Sequence, residues 1–77
     1  MSEIDDTRVV ETASDAAQNV IFSRYERSEI NDIDITIHFE DDVLEVDIYL
    51  DADHGDPDQV ANDAALAARS AVDRLLE

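Results

Sequence analysis

The chain has 77 residues, enough for one domain, and a core of that size supplies only about 3–5 kcal/mol of net stability. It has no cysteine, and neither His38 nor His54 has a nitrogen or sulfur ligand near it in sequence, so a disulfide framework and a zinc site of ordinary spacing are excluded. Asp and Glu total 21 against 5 basic residues, all of them arginine, a formal net charge of −16 that repels itself in dilute buffer.

The first predicted element is a helix over residues 4–24. Val9, Val10, Ala13, Ala16, Ala17, Val20 and Ile21 recur on one face at helical spacing, and Glu11, Asp15, Gln18 and Asn19 fall on the other. Ser2 or Asp6 is the expected cap. Asp5 and Asp6 suit the positive end of the helix dipole, and Arg24 and Arg27 suit its negative end.

Phe22, Arg24, Tyr25 and Arg27 follow as a candidate partner-binding group. Arginine beside aromatics is typical of interface hot spots and of stacking platforms for single-stranded nucleic acid. The competing reading is a plain helix C-terminus, where arginine is electrostatically welcome and an aromatic covers the end of the core.

Residues 33–50 read as a β-hairpin. Ile33, Ile35, Ile37 and Phe39 alternate with polar residues, and after Asp41 and Asp42 so do Leu44, Val46, Ile48 and Leu50. A turn at Asp41-Asp42 pairs Phe39 with Leu44, Ile37 with Val46, Ile35 with Ile48, and Ile33 with Leu50. The other face then pairs Glu40 with Val43, His38 with Glu45, Thr36 with Asp47, and Asp34 with Tyr49. A slip by one residue would set carboxylates against isoleucines, so the register is specified. The turn lacks the glycine that a type I′ turn prefers.

Residues 51–58 form a loop with the only glycine and the only proline. Its Asp51, Asp53, Asp56 and Asp58 are candidate ligands for calcium or magnesium, although the spacing is not that of an EF-hand. The default reading is an acidic connecting loop. A second helix opens at Pro57, with Asp56 as cap and Gln59 completing a capping-box pattern. Val60, Ala61, Ala64, Ala67, Ala68, Ala71, Val72 and Leu75 form its buried stripe.

The order α-β-β-α defines an α+β fold in which two helices pack on one face of an antiparallel β-hairpin, as a single domain. The alanine-rich stripes suit close helix packing. A two-stranded sheet keeps two open edges and is marginal alone, which predicts a homo-oligomer or a protein partner. Edge-to-edge pairing of two copies ranks above face stacking, and it is expected to bring Asp34 or Asp47 near the carboxylates of the other copy. Val43, Tyr49 and Phe22 are the apolar groups expected to be left at the surface.

No reaction is indicated. With this many acids, close carboxylate pairs arise by chance, and the inward positions carry none. Ser23, Ser28 and Ser70 have no histidine at motif spacing, and there is no glycine-rich phosphate loop. No cofactor is implied. His38 opposite Glu45 reads as a surface pair. No signal-peptide pattern and no apolar run long enough for a membrane are present, so a cytoplasmic, membrane-free protein is expected.

The acids are spread through helices, strands and loops, Asp outnumbers Glu two to one, and every cation is arginine. That pattern resembles the proteomes of salt-in haloarchaea, where screening removes most of the self-repulsion. Val10-Glu-Thr-Ala-Ser14, Phe22-Ser-Arg-Tyr25, the run from Phe39 through Leu50, and Ala61-Asn-Asp-Ala-Ala-Leu-Ala-Ala68 together resemble a small archaeal domain family of unknown function. The resemblance covers essentially the whole chain. It implies the α-β-β-α order and no assigned activity, and it carries no functional residue. Three functions are thus expected in descending order: a non-catalytic interaction module, an RNA- or ribonucleoprotein-associated factor using Arg24, Tyr25 and Arg27, and a divalent-metal protein using the acidic loop.

Overall fold

Helix α1 spans Asp6–Arg24. The structure is a computed structural model that describes residues 5–77. The cap is Asp5, whose carboxylate accepts the Arg8 N–H at 2.8 Å. It is neither of the two expected residues. Asp6 is already helical, so its side chain is one position too late to reach a free N–H, and Ser2 lies outside the described residues. Val9, Ala13, Ala17 and Ile21 are fully buried, a stripe with a strict spacing of four, while Val20 is only half-buried. The helix stops where Tyr25 turns extended, its N–H still bonded to the Ile21 carbonyl.

A short 3-10 turn at Arg27–Glu29 leads into β1, Ile30–Glu40, which pairs antiparallel with β2, Val43–Ala52. All eight expected cross-strand pairs are present. The hairpin also reaches further than the alternation alone indicates, to Ile30 opposite Ala52, with a bulge that leaves Asn31 unpaired. Asp41 and Asp42 both adopt positive φ, 51° and 64°, as a type I′ turn requires. The aspartates accept the geometry that glycine would take more readily.

Helix α2, Pro57–Leu76, starts at Asp56, whose carboxylate accepts the Gln59 N–H at 3.2 Å. Only half of the expected capping box forms. The Gln59 amide turns along the helix to Asp63 instead of back to the cap. Val60, Ala61, Ala64, Ala68 and Val72 are buried.

The helices pack against each other and on one face of the hairpin, α1 along β1 and α2 along β2. Alanines supply much of the helix-helix contact, which lets the backbones approach closely. The cost is thin cover for the sheet. Of its inward side chains only Leu50 is fully buried, and Ile33, Ile35, Ile37, Phe39, Leu44, Val46 and Ile48 are half-buried.

Candidate interaction groove

The four residues of the expected partner-binding group divide into two pairs. Tyr25 continues the spacing-of-four series of α1 and lies inside, with 4% of its surface exposed. Its hydroxyl donates to the His54 carbonyl at 2.7 Å, and its ring packs against the His54 imidazole. A stacking role for Tyr25 is therefore corrected. The ring is spent on closing the core, and its position four residues after Ile21 is the sequence signal for that. Arg24 reaches across to Asp63 on α2, 3.3 Å away. Arg24 thus ties α1 to α2, and Tyr25 ties the end of α1 to the loop before α2.

Phe22 and Arg27 stay at the surface together. The Arg27 guanidinium sits 5.1 Å from the centre of the Phe22 ring, within cation–π range. Among the described residues no carboxylate lies within ion-pair distance of Arg27, in a chain of net charge −16. The pair forms one end of a groove of about 570 Å³ between α1 and the open edge of β1. Ser14 and Gln18 wall it on the helix side, and Ile33 and Ile35 form the strand side. Val10, Ser14, Gln18 and Phe22 follow one another at a spacing of four, so α1 presents an uncharged stripe here.

Phe22, Val43 and Tyr49 are exposed as expected, at 37%, 59% and 57%, and Leu66 and Leu76 join them from α2. The spacing of α2 puts neither leucine on its buried stripe, so the sequence carries that signal.

The acidic loop does not gather a cation site. Asp51 belongs to β2 and faces Asp32, Asp53 accepts the Asn31 amide at 2.7 Å, and Asp56 caps α2. Among the described residues no three carboxylate or imidazole groups converge to hold a metal, so the assignment to Asp51, Asp53, Asp56 and Asp58 is withdrawn. Asp51 lies in the strand, Asp53 in the loop, Asp56 at the cap and Asp58 in the first turn of α2.

His54 of this loop instead meets Glu29, its Nε2 lying 2.5 Å from Glu29 Oε2. The other oxygen of Glu29 accepts the Glu26 N–H at 2.8 Å. That backbone bond first, and the imidazole second, hold the Glu29 carboxyl below the ordinary carboxylate range. Nothing in the sequence pairs these two residues, which are 25 positions apart and both outside the periodic segments. His38 does stand opposite Glu45, but its Nε2 is 3.8 Å from Glu40 on the same strand.

Comparison with known proteins places the fold and the lineage. A crystal structure from Thermococcus onnurineus superposes with a TM-score of 0.76 at 25% identity, over 99% of this chain and 82% of that one. A solution structure of a hypothetical protein from Methanothermobacter thermautotrophicus superposes at 0.68 with 27% identity, over 99% and 92%. An uncharacterised protein of the haloarchaeon Natronomonas pharaonis is 57% identical over 70 residues, 90% of this chain and 84% of that protein. Residues 1–75 match the family described as "Protein of unknown function (DUF3194)", and the chain belongs to that family.

Proposed function

We propose that the chain is a non-catalytic interaction module of a halophilic cytoplasm, which docks a protein partner along the groove between α1 and the open edge of β1. The observation that carries this reading is the Phe22–Arg27 pair at the mouth of that groove. An exposed aromatic under an arginine that has no acidic partner among the described residues is the composition of an interface anchor. The neighbouring strand edge offers unpaired backbone groups to the same partner.

A non-catalytic role is supported by the state of the polar groups. No polar or charged residue is buried among the described residues. Glu29 is held below its ordinary titration range by local hydrogen bonds, not by a water-excluded cleft. Acid-base catalysts need environments that set their pKa values apart.

The reading as an RNA-associated factor keeps Arg27 and gains only Phe22 as a stacking surface, because Arg24 is engaged by Asp63 and Tyr25 lies in the core. It ranks second.

The test is affinity purification from a haloarchaeal host in multimolar KCl, with wild type, Phe22→Asp and Arg27→Glu in parallel. A companion protein retained by the wild type and lost from both variants supports the docking surface. Equal companions on all three, or none on any, overturns it. Ribonuclease-sensitive retention would instead favour the RNA reading.

A further inference from the structure

We infer that α2 carries a second interface, a seam along its outer face that pairs antiparallel with α2 of a second copy of the chain. Arg69 then meets the partner's Asp73, and Leu66 meets the partner's Leu76.

Leu66, Arg69, Asp73 and Leu76 are all exposed, the two leucines at 58% and 47%. They follow one another at spacings of three, four and three, which sets them in one line along the helix. That line runs on the far side of α2 from its buried series Val60, Ala64, Ala68 and Val72. It faces away from α1 and from the hairpin. A second helix can therefore lie along it at the usual spacing of about 8–10 Å between axes, with the bodies of the two copies on opposite sides.

The charge along this stretch differs from that of the chain as a whole. Residues 64–76 hold two arginines and a single acid, in a chain of net charge −16. Two such chains repel each other, and they approach most easily where the acids are fewest. Among the described residues neither Arg69 nor Asp73 has an ion-pair partner. Within the helix the two stand four residues apart with the cation first, the poorer order for an intrahelical pair. Both are left to pair outward.

The seam is self-complementary in one orientation. Leu66 with Leu76 and Arg69 with Asp73 share a midpoint level with Ala71. A two-fold axis there sets each leucine against the other leucine of the partner and each arginine against an aspartate, and makes every contact twice. No two carboxylates of the seam meet. A parallel pairing would instead set Arg69 against the partner's Arg69 and Asp73 against the partner's Asp73.

The strand edges offer a second copy no such place. On the inner face of the hairpin α1 lies along β1 and α2 along β2. A copy paired edge to edge would bring its helix within about one strand spacing of this one, about 4.8 Å, where side-by-side helices need about 8–10 Å. The helices thus close the edge-to-edge pairing expected from the sequence, and the copies meet through α2. Among the described residues none of α2 lines the groove between α1 and β1, so the dimer presents that groove twice.

The experiment is light scattering of the purified chain in molar KCl across a concentration series. A dimer is expected, and Leu66→Asp is expected to weaken it at least about tenfold, because the contact is lost at both ends of the seam. Arg69→Asp is expected to weaken it about fivefold by setting two like-charged pairs across the axis, and Asp73→Arg in the same chain to restore it. Arg8→Asp, the same change of charge on the exposed first turn of α1, is expected to leave it unchanged. Circular dichroism in the same salt reports that each variant is folded. The chain has no cysteine, so introduced thiols report the register. Arg69→Cys mixed with Asp73→Cys is expected to cross-link at least about tenfold faster than either variant alone, whose like sites are offset by four residues, about 6 Å, along the helices. A monomer at every concentration overturns self-pairing, while the host purification still decides the docking reading. A dimer indifferent to Leu66→Asp overturns the choice of face, and equal cross-linking rates overturn the antiparallel register.

Discussion

Tyr25 and Gly55 touch more closely than any larger residue at position 55 would allow. A Cβ at Gly55 would stand 2.7 Å from the Tyr25 hydroxyl oxygen, and Gly55 holds φ at +73°. The same hydroxyl donates to the carbonyl of His54, so one contact joins the end of α1 to the loop before α2. Gly55→Ala is expected to cost about 1–2 kcal/mol from backbone strain, and more from displacing the phenol. Tyr25→Phe removes the hydrogen bond and is expected to cost about 1 kcal/mol, lowering Tm by about 4–8 °C in a chain of this size. The two changes are coupled. In the Tyr25→Phe background the clashing oxygen is gone, so Gly55→Ala costs less than it does in wild type. Thermal unfolding of the four proteins of the cycle in molar KCl measures this, and simple additivity would contradict the contact.

The hairpin turn predicts a stabilising change. Asp42 at φ 64° occupies a left-handed conformation that glycine takes without strain, and its side chain is exposed. Asp42→Gly is expected to raise stability by about 0.5–1 kcal/mol despite the greater freedom of glycine in the unfolded chain. A rise in Tm with an unchanged unfolding slope in denaturant is the expected result. A fall would mean that the aspartate makes a compensating contact.

The register of residues 33–50 was legible in the sequence because strand pairing has a period of two and nearly every outward neighbour of an isoleucine is polar, while the bulge at Asn31 and the pair Ile30–Ala52 lay beyond the alternation. A slip by one residue would have buried carboxylates, and the two-residue turn at Asp41-Asp42 excludes a slip by two. Tyr25 was legible in principle, since it extends the series Val9, Ala13, Ala17, Ile21, but its place beside two arginines drew it toward the surface reading. The groove was not legible. It joins Phe22 and Arg27 to the edge of β1, and no local pattern says which side of a hairpin a preceding helix will flank. The Glu29–His54 contact was hidden for the same reason, as two aperiodic segments meet only once the helices have packed.

Glu29 gives the fold a pH dependence with a definite sign. The Glu26 N–H and the His54 imidazole favour its ionised form, so its folded pKa lies below the ordinary value of 4.5. The unfolded state therefore takes up the proton first as pH falls. The stabilisation is fully present above about 4.5 and is lost as pH drops through the depressed folded value. Wild type is expected to exceed Glu29→Gln in Tm at neutral pH, and the gap is expected to close below pH 4. His54→Ala should leave part of the gap, because the backbone bond is the larger cause. A gap that stays constant down to pH 3 would contradict the assignment.

Salt dependence can be tested at one pair. Asp32 and Asp51 stand directly opposite each other across the hairpin, beside the bulge, and both are exposed. Side chains so placed have Cβ atoms about 4.5–5.5 Å apart, and like charges there are destabilising by about 0.2–1 kcal/mol. Screening acts on that scale, since the Debye length is about 10 Å in 0.1 M salt and about 3 Å at 1 M. The net charge of −16 multiplies the same effect over the whole surface, so Tm is expected to climb steadily from dilute buffer to molar KCl. Asp51→Asn removes one repulsion and one charge without changing the side chain's size. It is expected to raise Tm measurably in dilute buffer and by much less at 2 M KCl, so that the two melting curves converge as salt is added. Parallel curves would show that the pair is not a source of the repulsion, and a flat wild-type curve would remove the case for a high-salt habitat.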